Sequence, residues 1–151
     1  GFFRLSPGEE VRLKNAYIIK ATNIIKNEKG QITEVECEYD KKSKSGSNTE
    51  ESNRKVKATI HWVSAETAVE ATINIYDRLF KVPEPGKSQD LLSEVNENSL
   101  QIKSAKVEPY LAIAKEGDHF QFQRSGYFVR TNNKKTLEFN KTVGLRDGWK
   151  K

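Results

Sequence analysis

The chain has 151 residues, of which 31% are charged and 35% hydrophobic, with a formal net charge of +5; that length suits one ordinary domain or two small ones with modest cores. A single cysteine, Cys37, and two histidines, His61 and His119, exclude an internal disulfide and a cysteine-based zinc site. No apolar run approaches the roughly 20 residues that span a bilayer, and the mild basic excess suits an anionic partner such as nucleic acid.

Gly1-Phe2-Phe3-Arg4-Leu5 lacks a signal-peptide layout. With no methionine in the sequence, the chain reads as processed, or as cut from something longer. A lone cysteine fits a reducing compartment, here the cytoplasm.

Period-two patterning then dominates. In Glu10-Val11-Arg12-Leu13-Lys14-Asn15, Arg12 and Lys14 lie two apart on a strand and hence on one face. Asn27-Glu28-Lys29-Gly30 reads as a hairpin loop in which Gly30 is free to take positive φ. From Ile32 to Tyr39, Val35, Cys37 and Tyr39 interleave with Glu34, Glu36 and Glu38, the pattern of a half-buried strand. Residues 41–53 contain no large apolar side chain and predict a mobile loop that buries no surface. Val56, Ala58, Ile60 and Trp62 resume the alternation, against Lys55, Lys57, Thr59 and His61.

Ser64 to Ala68 allows one capped turn, and Gln89 to Val95 another. Between them Ile73 and Ile75 alternate with Thr72 and Asn74. Val82 to Lys87, with Pro83, Pro85 and Gly86, is a break suited to a seam between two sub-barrels. Phe120 and Phe122 alternate with Gln121 and Gln123, and Asn132 to Lys135 reads as a hairpin tip. Many short strands with turn signals between them, and no internal repeat, predict an all-β barrel or sandwich.

The side chains offer little for catalysis. There is no phosphate-cradling glycine loop, no His-x-x-x-His pair and no serine in a nucleophile elbow. Glu34, Glu36 and Glu38 share a strand face, better read as solvated than as a metal site. His61 reads as a structural or surface histidine.

What stands out is arginine, lysine and glutamine placed among aromatics. Arg4 follows Phe2 and Phe3; Arg12 and Lys14 share a strand; Gln121 and Arg124 lie in Phe120-Gln121-Phe122-Gln123-Arg124-Ser125-Gly126-Tyr127-Phe128. Unpaired RNA bases are held by stacking on aromatic or guanidinium planes and read along their exposed edges. Arginine can bond guanine bidentately, and an amide offers both donor and acceptor. On an ideal strand Gln121 and Arg124 point to opposite faces. A joint role at one base therefore requires a turn or bulge near Ser125-Gly126 that re-aims Arg124.

Arg4-Leu5, Glu10 to Tyr17, Ile60-His61-Trp62-Val63-Ser64, Tyr76-Asp77-Arg78-Leu79-Phe80 and Thr142 to Asp147 together resemble, in the same order, the C-terminal anticodon-binding region of bacterial glutaminyl-tRNA synthetases. The resemblance covers nearly the whole chain. It implies two small barrels of the ribosomal-protein-L25-like type holding the anticodon loop between them. Residues of about 10–70 would form mainly the distal barrel, and about 1–9 with 71–151 mainly the proximal one. The earliest strands of the first barrel would precede Gly1. The parent enzyme would be a monomeric class I ligase that joins glutamine to its tRNA with ATP and Mg²⁺ in an upstream domain, leaving this part without catalytic residues or cofactor.

By the same resemblance, Arg4 matches an arginine that reads the third anticodon base, a guanine. Arg12 and Lys14 match two basic residues near the wobble base, and Gln121 and Arg124 match the pair that reads the central uracil. Lys14 stands where the family often has arginine, and Asn74 where a basic residue is common. Asp77 with Arg78, and Arg146 with Asp147, are expected to tie chain segments together through charge-assisted bonds. Two related readings remain: the C-terminal domain of an archaeal-eukaryotic glutamyl-tRNA synthetase, and a free-standing ribosomal protein that binds an RNA helix by shape. A solvated scaffold with no RNA partner is the third.

Overall fold

The computed structural model describes residues 4–87 and 90–145. The chain divides into two compact units, Gly1–Trp62 and Val63–Lys151. Each unit is organised around one sheet, and helix is limited to isolated turns, so the all-β expectation holds.

In the first unit, β1 (Glu10–Leu13), β2 (Ile18–Lys26), β3 (Ile32–Tyr39) and β4 (Thr59–Ile60) form a sheet of order β3-β2-β1-β4. β1 and β2 are antiparallel, with Val11 opposite Ile19 and Arg12 opposite Ile18. β4 joins β1 in parallel, which requires the chain to leave the sheet after β3 and return; residues 40–58 are that excursion. Gly8 donates to the Ala21 carbonyl at 2.8 Å, and Ala21 to that of Glu9 at 3.2 Å. Residues 8 and 9 thus pair within this unit, whereas the resemblance grouped them with the other one.

Val11 and Ile18 fall on opposite faces by this register and are both fully buried. The sheet is therefore covered on two sides at β1 and β2. The β2–β3 hairpin closes as the sequence predicts: Gly30 takes φ +74° and donates to the Asn27 carbonyl at 2.9 Å. One expectation fails here. All eight residues of β3 are exposed, Tyr39 at 55%. Alternation gave the strand correctly but not its burial, because period-two spacing sorts side chains between two faces without showing whether either face is covered.

The excursion also departs from expectation. It contains a 3₁₀ turn at Lys41–Ser43 and a helical turn at Glu50–Asn53 capped by Thr49. Ser43 is wholly buried. Its hydroxyl accepts the Ile18 N–H at 2.7 Å and donates to the Asp40 carbonyl at 2.6 Å. A segment with no large apolar side chain still buries a polar one, because β2 presents a backbone donor that needs an acceptor.

The second unit holds β5 (Val69–Tyr76), β6 (Leu100–Val107), β7 (His119–Phe122), β8 (Gly126–Arg130) and β9 (Glu138–Val143), in the order β6-β5-β9-β8-β7. Its core gathers Ala71, Ile73, Val107, Leu111, Phe128 and Phe139. The rings of Phe122 and Phe128 stack at 4.4 Å, and Phe120 and Phe122 both meet Phe139 edge-on. β5 is an inner strand, between β6 and a parallel β9. Asn74 is accordingly buried too, and its amide donates to Asn140 Oδ1 at 2.9 Å. A position read as the solvent face of an alternating strand is an interior amide pair. In both units strand pairing among the described residues runs as an open sheet.

The polar turns of the second unit match the sequence reading in part. Ala68 N–H donates to the Ser64 carbonyl at 2.8 Å, and Asp90 caps a 3₁₀ turn at Leu91–Glu94; Gln89 lies outside the described residues. The proline-bearing break at Val82 to Lys87 lies inside this unit rather than between units. Buried Glu94 ties it back, accepting the Lys81 N–H on its carbonyl and the Gly86 N–H on its carboxylate, both at 2.8 Å. Among the described residues the Asp77 carboxylate bonds locally, to the Arg78 N–H at 2.7 Å, and the Arg78 carbonyl accepts from Asn96. Arg146 and Asp147 lie outside the described residues.

Gly126 opens β8 at φ +133°, and a Cβ there would sit 2.6 Å from the Val143 carbonyl oxygen. Gly126→Ala meets both a strained backbone and a rigid neighbour. It is expected to lower stability by about 1–3 kcal/mol, read as a fall in the urea midpoint. Ser43→Ala leaves the buried Ile18 N–H unsatisfied and is expected to cost about 1–3 kcal/mol. Faster hydrogen exchange at the Ile18 amide marks the local origin of that loss.

Candidate nucleic-acid interface

Arg4, Arg12 and Lys14 belong to the first unit, and Gln121 and Arg124 to the second. Arg4 is exposed, in coil immediately before half-buried Leu5. Lys14 is exposed one residue beyond the end of β1. Its N–H donates to the Ile60 carbonyl at 2.9 Å, and its carbonyl accepts the Trp62 indole at 3.1 Å. Asn15 follows at φ +59°. The turn is closed by the Ala16 N–H on the Leu13 carbonyl, at 2.9 Å. The ammonium of Lys14 thus projects from a backbone fixed on both sides, into solvent.

Arg12 is different. It is half-buried, and its guanidinium already has a set of partners. Nη1 donates to the Ser43 carbonyl at 3.0 Å and to Ser45 Oγ at 3.4 Å; Nη2 donates to the carbonyls of Ser52 at 2.8 Å and Arg54 at 3.4 Å. One planar fork collects acceptors from both ends of the excursion. The neighbouring Arg54 pairs with Glu10 and, at 3.3 Å, with Asp40; the Glu10 hydrogen bond is the leading cause of its raised pKa. Lys57 pairs with Glu9 at 2.7 Å.

In the second unit, the Phe120 and Phe122 rings point to the core and turn the intervening Gln121 outward, where it is exposed. Directly opposite it on β8 stands Tyr127, 42% exposed. Residues 123–125 form the hairpin turn, with the Ser125 N–H on the Phe122 carbonyl at 2.9 Å. Arg124 adopts φ +65° there, so it sits in a left-handed turn and not on the strand. The irregularity that a shared role with Gln121 demands is therefore present, and the register shift between Tyr127 and Phe128 extends it.

Two residues escaped the sequence reading. Tyr127 becomes a stacking candidate only once the hairpin register sets it beside Gln121. Arg130 is a carbonyl collector like Arg12: Nη1 donates to the carbonyls of Thr131 at 2.8 Å and Glu138 at 3.1 Å, and Nη2 to that of Asn133 at 2.9 Å. The polar tip expected at Asn132 to Lys135 gave a hint of need for such an anchor, but nothing pointed to Arg130 itself. Among the described residues no group of three or more His, Cys, Asp or Glu side chains could hold a metal ion, and no helix is long and apolar enough to cross a membrane.

Comparison with known proteins bears on what these side chains are for. Two family models, both described as tRNA synthetases class I (E and Q), anti-codon binding domain, match residues 2–40 and 59–131. Glutamine–tRNA ligases are similar throughout: that of Serratia proteamaculans at 50% identity, that of Cronobacter sakazakii at 48%, and that of Escherichia coli at 49%. Each alignment covers 98% of this chain and 27% of the relative, so the chain spans about a quarter of the length of the curated relatives it matches. The first matched segment lies in the first unit and the second runs from β4 of that unit through most of the second, and the chain belongs to the anticodon-binding domains of the class I tRNA synthetases for glutamate and glutamine.

Proposed function

We propose that this chain binds the anticodon loop of a glutamine tRNA, as the anticodon-reading part of a cytoplasmic, monomeric ligase that attaches glutamine using ATP and Mg²⁺ elsewhere in its chain. The observation that carries this reading is the identity of about half over 98% of the chain with glutamine–tRNA ligases. The family models embrace both glutamate and glutamine enzymes; the names of these relatives favour glutamine.

The chemistry of the side chains supports the same reading. Arg4 offers a guanidinium fork suited to the N7 and O6 edge of guanine at the third anticodon position. Gln121 presents an amide donor and acceptor for the central uracil, with Tyr127 opposite it available for stacking, and the left-handed turn at Arg124 supports a shared role for that guanidinium. Lys14 supplies a point charge near the wobble base, which suits a position that accepts either C or U. Arg12 belongs to this interface, and the bonds it already makes bear on how it contributes.

Arg4→Ala and Arg124→Ala are each expected to weaken binding of a glutamine-tRNA transcript by about 1–3 kcal/mol, the range for one lost base contact. Filter binding at fixed salt measures this. Equal affinity of the parent chain and both variants contradicts the reading.

A further inference from the structure

Residues 41–58 fall between the two matched segments, so family membership assigns them no role. The composition of residues 41–53 predicts a floppy tether, yet the backbone is pinned repeatedly. Ser43 is buried, bonded to Ile18 and Asp40. The N–H and Oγ of Ser45 both donate to the Ala16 carbonyl, at 2.9 and 2.8 Å. Thr49 Oγ1 donates to the Lys42 carbonyl at 2.6 Å while accepting the Ser52 N–H at 3.1 Å. Arg12 gathers the Ser43, Ser52 and Arg54 carbonyls. Ordering a backbone costs roughly 1–2 kcal/mol per residue, and this segment buries almost no apolar surface in return.

What the order does is present charge. Lys41, Lys42 and Lys44 are all exposed and flank the buried Ser43. Among the described residues no carboxylate forms an ion pair with any of them; of the acids nearby, Glu10 and Asp40 are matched by Arg54 and Glu9 by Lys57, while Glu50 and Glu51 open the helical turn at its N-terminal end. The bonds from Ser45 to Ala16 hold this turn against the one that displays Lys14. Four ammonium groups are thus offered from two turns that are hydrogen-bonded together.

We infer that the Lys41–Lys44 turn, with Lys14, is a contact surface for RNA backbone phosphates, and that Arg12 is the positioning residue that holds it in register. This rests on the anticodon-loop reading given above. A lysine is a compact point charge and needs no directional fit to a phosphate. The planar fork of Arg12 is what gathering divergent carbonyls requires. Phosphate contacts fix the orientation of the nucleic acid without reading its sequence, so this surface adds affinity and leaves base selectivity to Arg4, Gln121 and Arg124.

The test is a salt titration of the 151-residue chain by filter binding, against a synthetic stem-loop with the anticodon CUG and a second one altered at the third anticodon base. K41Q/K42Q/K44Q is expected to reduce the slope of log K against log salt by about 2, from roughly 0.7 per single-strand phosphate, and equally for both RNAs. R12K, which keeps the charge but loses the fork, is expected to reduce the slope by a similar amount, with no further loss when combined with the lysine triple. If the triple variant keeps the parent slope while Arg4→Ala still weakens the CUG stem-loop, the lysine surface is refuted and the anticodon reading survives. If R12K keeps the slope and instead erodes discrimination between the RNAs, Arg12 reads a base and its positioning role is refuted. A parent chain that binds neither RNA at low salt overturns both this inference and the reading beneath it.

Discussion

A backbone carbonyl turned away from water must find a donor, and in a chain this polar the donor is repeatedly a guanidinium. With only 35% hydrophobic residues, the long connections cannot be held by apolar burial. Arg12 in the first unit and Arg130 in the second each thread one planar group among carbonyls from a connecting segment. A hydrogen bond from a charged donor contributes about 1.5–3 kcal/mol, against about 1 kcal/mol for a neutral pair. The fork arrives already planar, so less side-chain freedom is lost per bond formed. Removing either arginine leaves several acceptors unsatisfied at once, which concentrates the order of a whole connection in one side chain.

The fold was legible wherever structure follows from local periodicity. β3, β7, the Asn27–Gly30 hairpin and the turn at Ser64 to Ala68 all emerge from spacing and turn chemistry over a few residues. What periodicity does not carry is the identity of the neighbour. Glu34 to Tyr39 alternates like a half-buried strand, but no element covers its apolar face among the described residues, and those residues remain exposed. Asn74 alternates like a surface residue, but the parallel return of β9 puts Asn140 against it. Both parallel pairings, β1 with β4 and β5 with β9, join segments far apart in sequence. No short window contains the information that pairs them.

The candidate interface was legible in a different way. Residue types alone identified arginine, lysine and glutamine near aromatics, and the ordered resemblance assigned their expected roles. Neither could say where a guanidinium points. For Arg124 the parity conflict with Gln121 anticipated an irregular backbone, and the left-handed turn supplies one. For Arg12 no such warning existed. An arginine two residues from a lysine on a strand looks the same in sequence whether it faces solvent or a ring of carbonyls. The discriminating feature was the polar excursion some thirty to forty residues later, read from composition as a loop without anchors.

The ion pairs of the first unit gain a meaning from this arrangement that stability alone does not give them. Exposed pairs such as Arg54 with Glu10 and Lys57 with Glu9 are worth about 0–1 kcal/mol each. Their larger effect is on the field. Left alone, Glu9, Glu10 and Asp40 would cancel much of the positive potential beside β1, and a polyanion approaching there would meet carboxylates as well as ammonium groups. Matching those acids internally with Arg54 and Lys57 takes three carboxylates out of the local balance, so that Lys14, Lys41, Lys42 and Lys44 outnumber Glu50 and Glu51 of the neighbouring helical turn. At physiological salt the field reaches only about 8 Å, so it is this local balance, and not the net charge of the chain, that decides where a phosphate is drawn.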